Sequence, residues 1–304
     1  MSFEYCRIQP SGLNVGYVGR GAGPLVIFLH GFPDTHRGFL PIMDRVAAAG
    51  YRAVAPEPRG YLPTELAPDG DYRVEAFAKD VVGFADALGA DRFSLVGHDW
   101  GALTAYATAN LVPDRVDRMV TAGVPHTGHF LLNIRLRQAM SSRYMAYFQL
   151  PWWPERRIRR NDFAYIEQLM RSWAPAWKFD DAALGPLKKN YADPHRLSAA
   201  LAYYRQLPAS LSSRLSRRLM FGPVATPTRM LYGTDDRCIR PELFIGQEQR
   251  FRQPLDLVPM RGVGHFMQWE QPGLFGDQIL GFLQPARLDG AKTARHVATQ
   301  ISKS

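Results

Sequence analysis

Six short stretches of this chain are almost wholly apolar: LVIFL (Leu25 to Leu29), RAVA (Arg52 to Ala55), FSLVG (Phe93 to Gly97), RMVTAGV (Arg118 to Val124), TRMLYG (Thr228 to Gly233) and LDLVPM (Leu255 to Met260). A short segment that offers water no polar face has to be covered on both sides. That is the condition of a central strand in a sheet sandwiched between helices. Between the first four lie segments of helical character, including VEAFAKDVVGFADAL (Val74 to Leu88) and GALTAYATANL (Gly101 to Leu111). Strand and helix in alternation predict an α/β fold with a mostly parallel central sheet flanked by helices.

Ahead of this pattern, FEYCRI (Phe3 to Ile8) and LNVGYVG (Leu13 to Gly19) flank the turn signal Pro10-Ser11-Gly12 and predict an antiparallel hairpin. Between His129 and Arg218 the alternation stops. This stretch is helix-like, rich in Trp, Tyr and Arg, broken by Pro151, Pro154, Pro175, Pro186, Pro194 and Pro208, and without a convincing strand. It reads as an inserted helical cap over 129–218, with the core formed by 1–128 and 219–285 and a polar tail over 286–304.

The chain has 304 residues, 46% of them hydrophobic and 21% charged, enough to bury a large core in one enlarged domain or two. The first ten residues, MSFEYCRIQP, carry no signal-peptide pattern, and no apolar run approaches the roughly 20 residues of a membrane span. The expectation is a cytoplasmic protein without membrane insertion. The net charge of +9 gathers in ERRIRR (Glu155 to Arg160) and SSRLSRR (Ser212 to Arg218), with no zinc-finger, RNP or homeodomain pattern around them. These runs read as solvated helix faces, and no nucleic-acid partner is expected. Cys6 and Cys238 form no ligand or disulfide pattern and are read as packing residues. No carboxylate or histidine cluster has metal spacing and no glycine-rich nucleotide loop occurs, so neither metal nor cofactor is expected. A homodimer is left open.

The stretch FSLVGHDWGALTAYATAN runs from a buried strand through Gly97-His98-Asp99-Trp100-Gly101 into a helix. Glycines on either side of the turn allow strand and helix backbones to approach closely and lift the middle residue above the sheet. Alone, this pattern leaves two readings of Asp99 open: helix cap or nucleophile. Three further segments bear on the choice. LHGFPD (Leu29 to Asp34) follows the first buried strand. LYGTDDRCIRP (Leu231 to Pro241) sets aspartates after a late strand. GVGHFMQWEQP (Gly262 to Pro272) places His265 after the last one.

The order nucleophile, acid, histidine resembles the α/β-hydrolase family over nearly the whole chain. Within it, HGFP with GHDWG most resembles the epoxide hydrolases and, less closely, the haloalkane dehalogenases, both of which use an aspartate nucleophile. The resemblance implies that Asp99 attacks and His265 activates water. It assigns Asp236 to orient the imidazole, with Asp235 as the alternative, and makes the backbone N–H groups of Phe32 and Trp100 an oxyanion hole. It also implies a cis Phe32–Pro33 bond. The choice of aspartate has a chemical reason. Attack of a carboxylate on an sp³ carbon leaves an ester whose carbonyl water can then attack, whereas a serine ether would be a dead end.

Two cap segments, SSRYMAYFQLPWWPE (Ser141 to Glu155) and ALAYYRQL (Ala200 to Leu207), resemble those that carry the epoxide-activating tyrosines. The matching positions are Tyr144 and Tyr204, with Tyr147 and Tyr203 as near-register alternatives. The implied activity is conversion of an apolar epoxide and water to a vicinal diol. A haloalkane or haloacid dehalogenase and a non-catalytic binding protein of the same fold are the rival readings. Phe32 lacks the side-chain donor that often holds halide, and every triad position is filled. Ala102, where a further glycine is usual, and the loop APEPRGYLPTE (Ala55 to Glu65) depart from the family pattern and leave loop shape and substrate range open. Of the other histidines, His98 and His30 read as structural and His126 and His129 as structural or pocket-lining. His36, His195 and His296 carry no motif.

Overall fold

The computed structural model describes residues 6–179 and 181–283; the tail expected over 286–304 and His296 lie outside the described residues. Eight strands form one sheet: β1 (Cys6–Ile8), β2 (Val15–Arg20), β3 (Leu25–Leu29), β4 (Arg52–Pro56), β5 (Phe93–His98), β6 (Val116–Ala122), β7 (Thr228–Gly233) and β8 (Asp256–Met260). Their spatial order is β1-β2-β4-β3-β5-β6-β7-β8. The hairpin β1–β2 and the β2–β4 pair are antiparallel, and every other neighbour pair is parallel.

Three helices lie between the strands of the first half: α1 (Leu40–Ala48), α2 (Val74–Ala87) and α3 (Trp100–Leu111). Side chains alternate across the sheet, as the two-residue period of a strand requires. In β3, Leu25, Ile27 and Leu29 enter the larger apolar cluster, which includes Phe77 of α2 and Ala105 of α3. Val26 and Phe28 enter the opposite cluster with Ile42 and Met43 of α1. This two-sided burial is why the run is apolar throughout. The last run differs. In β8, at the edge of the sheet, only Met260 is fully buried, and Pro259 is exposed, where a residue without an N–H costs no ladder hydrogen bond.

Between β6 and β7 the described chain is helical: α4 (Thr127–Leu132), α5 (Leu136–Ser141), α6 (Arg143–Tyr147), α7 (Trp153–Arg159), α8 (Ala164–Trp173), α9 (Asp181–Ala192), α10 (Pro194–Arg205), α11 (Leu207–Ser212) and α12 (Arg214–Phe221). After β8 come α13 (Met267–Glu270) and α14 (Pro272–Leu283). Helix α12 packs on α3 and α2, so the division at 218/219 drawn from sequence falls inside one helix. The α9 and α10 helices are sewn to the loop after β4. Leu62 N donates to Asn190 Oδ1 at 2.8 Å, Tyr72 N to Gln206 Oε1 at 2.8 Å, and Tyr203 Oη to the Arg59 carbonyl at 2.8 Å. Cys238 is buried as expected, whereas Cys6 is exposed on the edge strand β1.

Candidate active site

Asp99 stands between β5 and α3 at φ 54°, ψ −120°, a conformation that L side chains adopt only when the surroundings enforce it, at a cost of about 1–3 kcal/mol. Two close approaches enforce it. A Cβ on Gly101 would collide with the Leu29 carbonyl, and one on Gly31 would strike the Asp99 carboxyl and the Trp100 nitrogen. The capping reading of Asp99 fails here, because its side chain makes no hydrogen bond to the helix it precedes. Its Oδ1 instead accepts the Phe32 N–H at 2.8 Å. Phe32–Pro33 is cis. Trp100 opens α3, so its N–H has no acceptor within the helix and lies on the same side of the turn, next to Gly31.

His265 Nε2 lies 3.5 Å from Asp99 Oδ2, too long for a good hydrogen bond but close for two charges. Its Nδ1 meets Asp236 Oδ2 at 2.8 Å. The other oxygen of Asp236 accepts the N–H groups of Cys238 and Ile239 at 2.7 and 3.0 Å, which fixes the carboxylate from behind. Asp235 is solvent-exposed and only near Thr234 Oγ1, so it is Asp236 that the fold brings to His265.

Burial opposes a charge on His265, but the Asp236 and Asp99 carboxylates outweigh it and hold its pKa up at about 10. Burial likewise opposes the Asp99 carboxylate, and the His265 imidazole together with the Phe32 N–H overcomes it and lowers its pKa. The resting pair is therefore an imidazolium beside a carboxylate.

Asp99, Trp100, Tyr144 and Tyr204 line one cavity of about 130 Å³. That is close to the roughly 150 Å³ that holds one benzene ring. Burial keeps both phenols protonated, with neighbouring Cys238 adding to the effect at Tyr144 and Asp99 at Tyr204. Among the described residues the buried Tyr204 hydroxyl has no hydrogen-bond partner, and Tyr144 Oη meets the Cys238 sulfur at 3.7 Å. An unmet buried hydroxyl costs about 1–3 kcal/mol, which an acceptor placed between the two rings would recover. The alternative-register tyrosines are committed elsewhere: Tyr203 Oη to the Arg59 carbonyl and Tyr147 Oη to that of Trp153 at 3.1 Å.

Around the triad stand supporting residues, some read as structural from sequence and others, such as His36, Glu57 and Gln268, marked by nothing there. His98 Nε2 donates to the His265 carbonyl at 2.8 Å while its Nδ1 accepts from Gln268 Nε2 at 3.1 Å, and burial with the neighbouring His265 charge pushes its pKa down to about 3. His98 thus points away from Asp99, as expected, and props the His265 backbone. Gln268 also donates to Asp34 Oδ2 at 2.7 Å, tying this loop to the Phe32 loop. His30 contacts the Gly31 carbonyl at 2.9 Å and Glu57 Oε2 at 2.6 Å, and His36 joins Glu57 from the other side. Burial works against charge on Glu57, but the two imidazoles bring its pKa down to about 2. Trp173 packs edge-on to His265 at 5.3 Å and beside Tyr144 at 4.9 Å. His126 and His129 are taken up by backbone and side-chain contacts around α4.

The description "alpha/beta hydrolase fold" matches residues 24–272. This chain belongs to that family. It is 29% identical over 278 residues to the AB hydrolase superfamily protein YfhM of Bacillus subtilis, covering 90% of this chain and 94% of that one. Epoxide hydrolase 4 of Homo sapiens is 29% identical, covering 92% of this chain and 78% of the relative. Among solved structures, the Bacillus megaterium epoxide hydrolase in complex with an inhibitor superposes with a TM-score of 0.78 at 25% identity, covering 91% of this chain and 99% of that one. The chain is an α/β-hydrolase-fold protein with epoxide hydrolases among its relatives. No helix of the described residues is long and apolar enough to cross a membrane.

Proposed function

We propose that the protein is an epoxide hydrolase that adds water to an apolar epoxide through an ester on Asp99. The observation that carries this reading is the unpartnered Tyr204 hydroxyl, which lines with Tyr144 the same cavity as a carboxylate whose Oδ1 is already bound by the Phe32 N–H. Oδ2 is the oxygen left to attack. It forms a bond to an epoxide carbon as the C–O bond breaks, and the electron pair moves to the ring oxygen. That oxygen takes a proton from Tyr144 or Tyr204. The imidazolium proton of His265 makes good the phenol, leaving a neutral imidazole.

Ester formation also removes one of the two negative charges that keep His265 protonated, which turns it into a base for the second step. His265 then takes a proton from water, and the resulting hydroxide adds to the Asp99 carbonyl carbon. The negative charge that develops on Oδ1 meets the N–H groups of Phe32 and Trp100. On collapse the proton of the added hydroxyl passes to the departing diol oxygen, which leaves Asp99 as the carboxylate beside the His265 imidazolium.

The reading is tested by following diol formation from styrene oxide alongside halide release from 1-bromohexane and chloroacetate. Diol without halide is the expected result, with a loss of about 10²-fold or more in Tyr204→Phe. Halide release without diol would move the assignment to a dehalogenase.

A further inference from the structure

Outside the cavity at Asp99, between the helices that follow β6 and the loop after β7, a groove of about 730 Å³ is lined by Arg137, Arg143, Arg157, Arg237 and Arg240 and by no carboxylate. The nearby acids are already used. Glu155 pairs with Arg205, Asp162 with Lys188 and Glu167 with Arg171. Among the described residues, no ion pair engages the five groove arginines. Arg157 sets its guanidinium carbon over the rings of Tyr165 at 4.6 Å and Tyr147 at 5.5 Å, which holds it in place. Arg240 has its Nε buried without a hydrogen-bond partner, a cost that an acceptor in the groove would relieve. One sign of charge on a walled cleft concentrates the field there. Long-range repulsion among five guanidiniums is a cost that folding alone gives no reason to bear.

The groove carries an exposed apolar side chain of its own, Met140. Residues 131–160 contain seven arginines and one acid. They also carry eight of the twelve large hydrophobic side chains exposed among the described residues, including Leu132, Leu136, Met140, Trp152 and Trp153. Tyr144 lines both this groove and the cavity at Asp99.

We propose that the groove is a binding site for the anionic head, phosphate or carboxylate, of an amphiphile whose apolar part lies on the neighbouring cap surface. The arginine forks offer the bidentate geometry that such oxyanions accept. The site does not depend on the reaction at Asp99, and unreactive probes read it by binding alone, so absence of epoxide turnover leaves it standing.

The test is equilibrium binding of octyl phosphate and of octanoate to the full chain, with octanol as the neutral control. Each anion is expected to bind at least about tenfold more tightly than octanol. Arg143→Gln/Arg157→Gln should lose about that factor, and Arg240→Gln alone should lose part of it. Arg159→Gln/Arg160→Gln removes the same charge outside the groove and should change binding by less than about twofold. Thermal melts of each variant establish that it is folded. Phosphatidylglycerol vesicles form a separate arm: capture that the groove variant abolishes, without saturable binding of free octyl phosphate, assigns the anion to a bilayer headgroup. Octanol binding as tightly as the anions, or equal losses in the two double variants, would overturn the site.

Discussion

At the scale of single residues, the central feature is an imidazolium held between two carboxylates, and its titration is a direct readout. In the resting protein His265 should remain protonated across neutral pH and lose its proton near pH 10, since its pKa is raised. Asp99→Asn removes one supporting charge, so the pKa must fall; imidazole ¹⁵N shifts followed against pH would register the change. An unchanged titration would mean that Asp99 does not act on His265. The chemistry-bearing residues Asp99, Asp236 and His265 were legible in sequence because each sits in a short motif that follows a strand. The family spacing already favoured Asp236 over Asp235; what no local signal showed is the burial of Asp236 against His265 that gives the physical reason. His36 was illegible for a related reason: its partner Glu57 is 21 positions away, and nothing local marks the pair.

At the scale of elements, the turn between β5 and α3 depends on backbone approach more than on side-chain packing. Gly101→Ala would press a methyl into the Leu29 carbonyl and should destabilise the fold by on the order of 3 kcal/mol. Gly273→Ala in α14 meets open space and removes backbone freedom from the unfolded chain; it should be neutral or stabilising by up to about 1 kcal/mol. Urea midpoints for the two variants compare these directly. The parallel strands were readable because burial on both faces forces an apolar run. The edge character of β8 was not, since LDLVPM is as apolar as its neighbours and only sheet order exposes it.

At the scale of the whole molecule, the helices between β6 and β7 meet the loop after β4, the same loop whose sequence departs from the family pattern. Its irregular backbone supplies the carbonyls and N–H groups that α9 and α10 bind. Tyr203→Phe removes one of these links and should cost about 1 kcal/mol, seen as faster hydrogen exchange in α10 with protection of β3 and β5 retained. That seam could not be read from sequence, because it joins residues more than 100 positions apart. The central claim is that Asp99 becomes covalently attached to substrate and that His265 releases it. The most direct measurement is intact mass of His265→Ala after mixing with styrene oxide. A gain equal to the whole epoxide, absent when Asp99 is also replaced by Ala, is the expected result; the same gain persisting without Asp99, or turnover at the unmodified rate in His265→Ala, would contradict it.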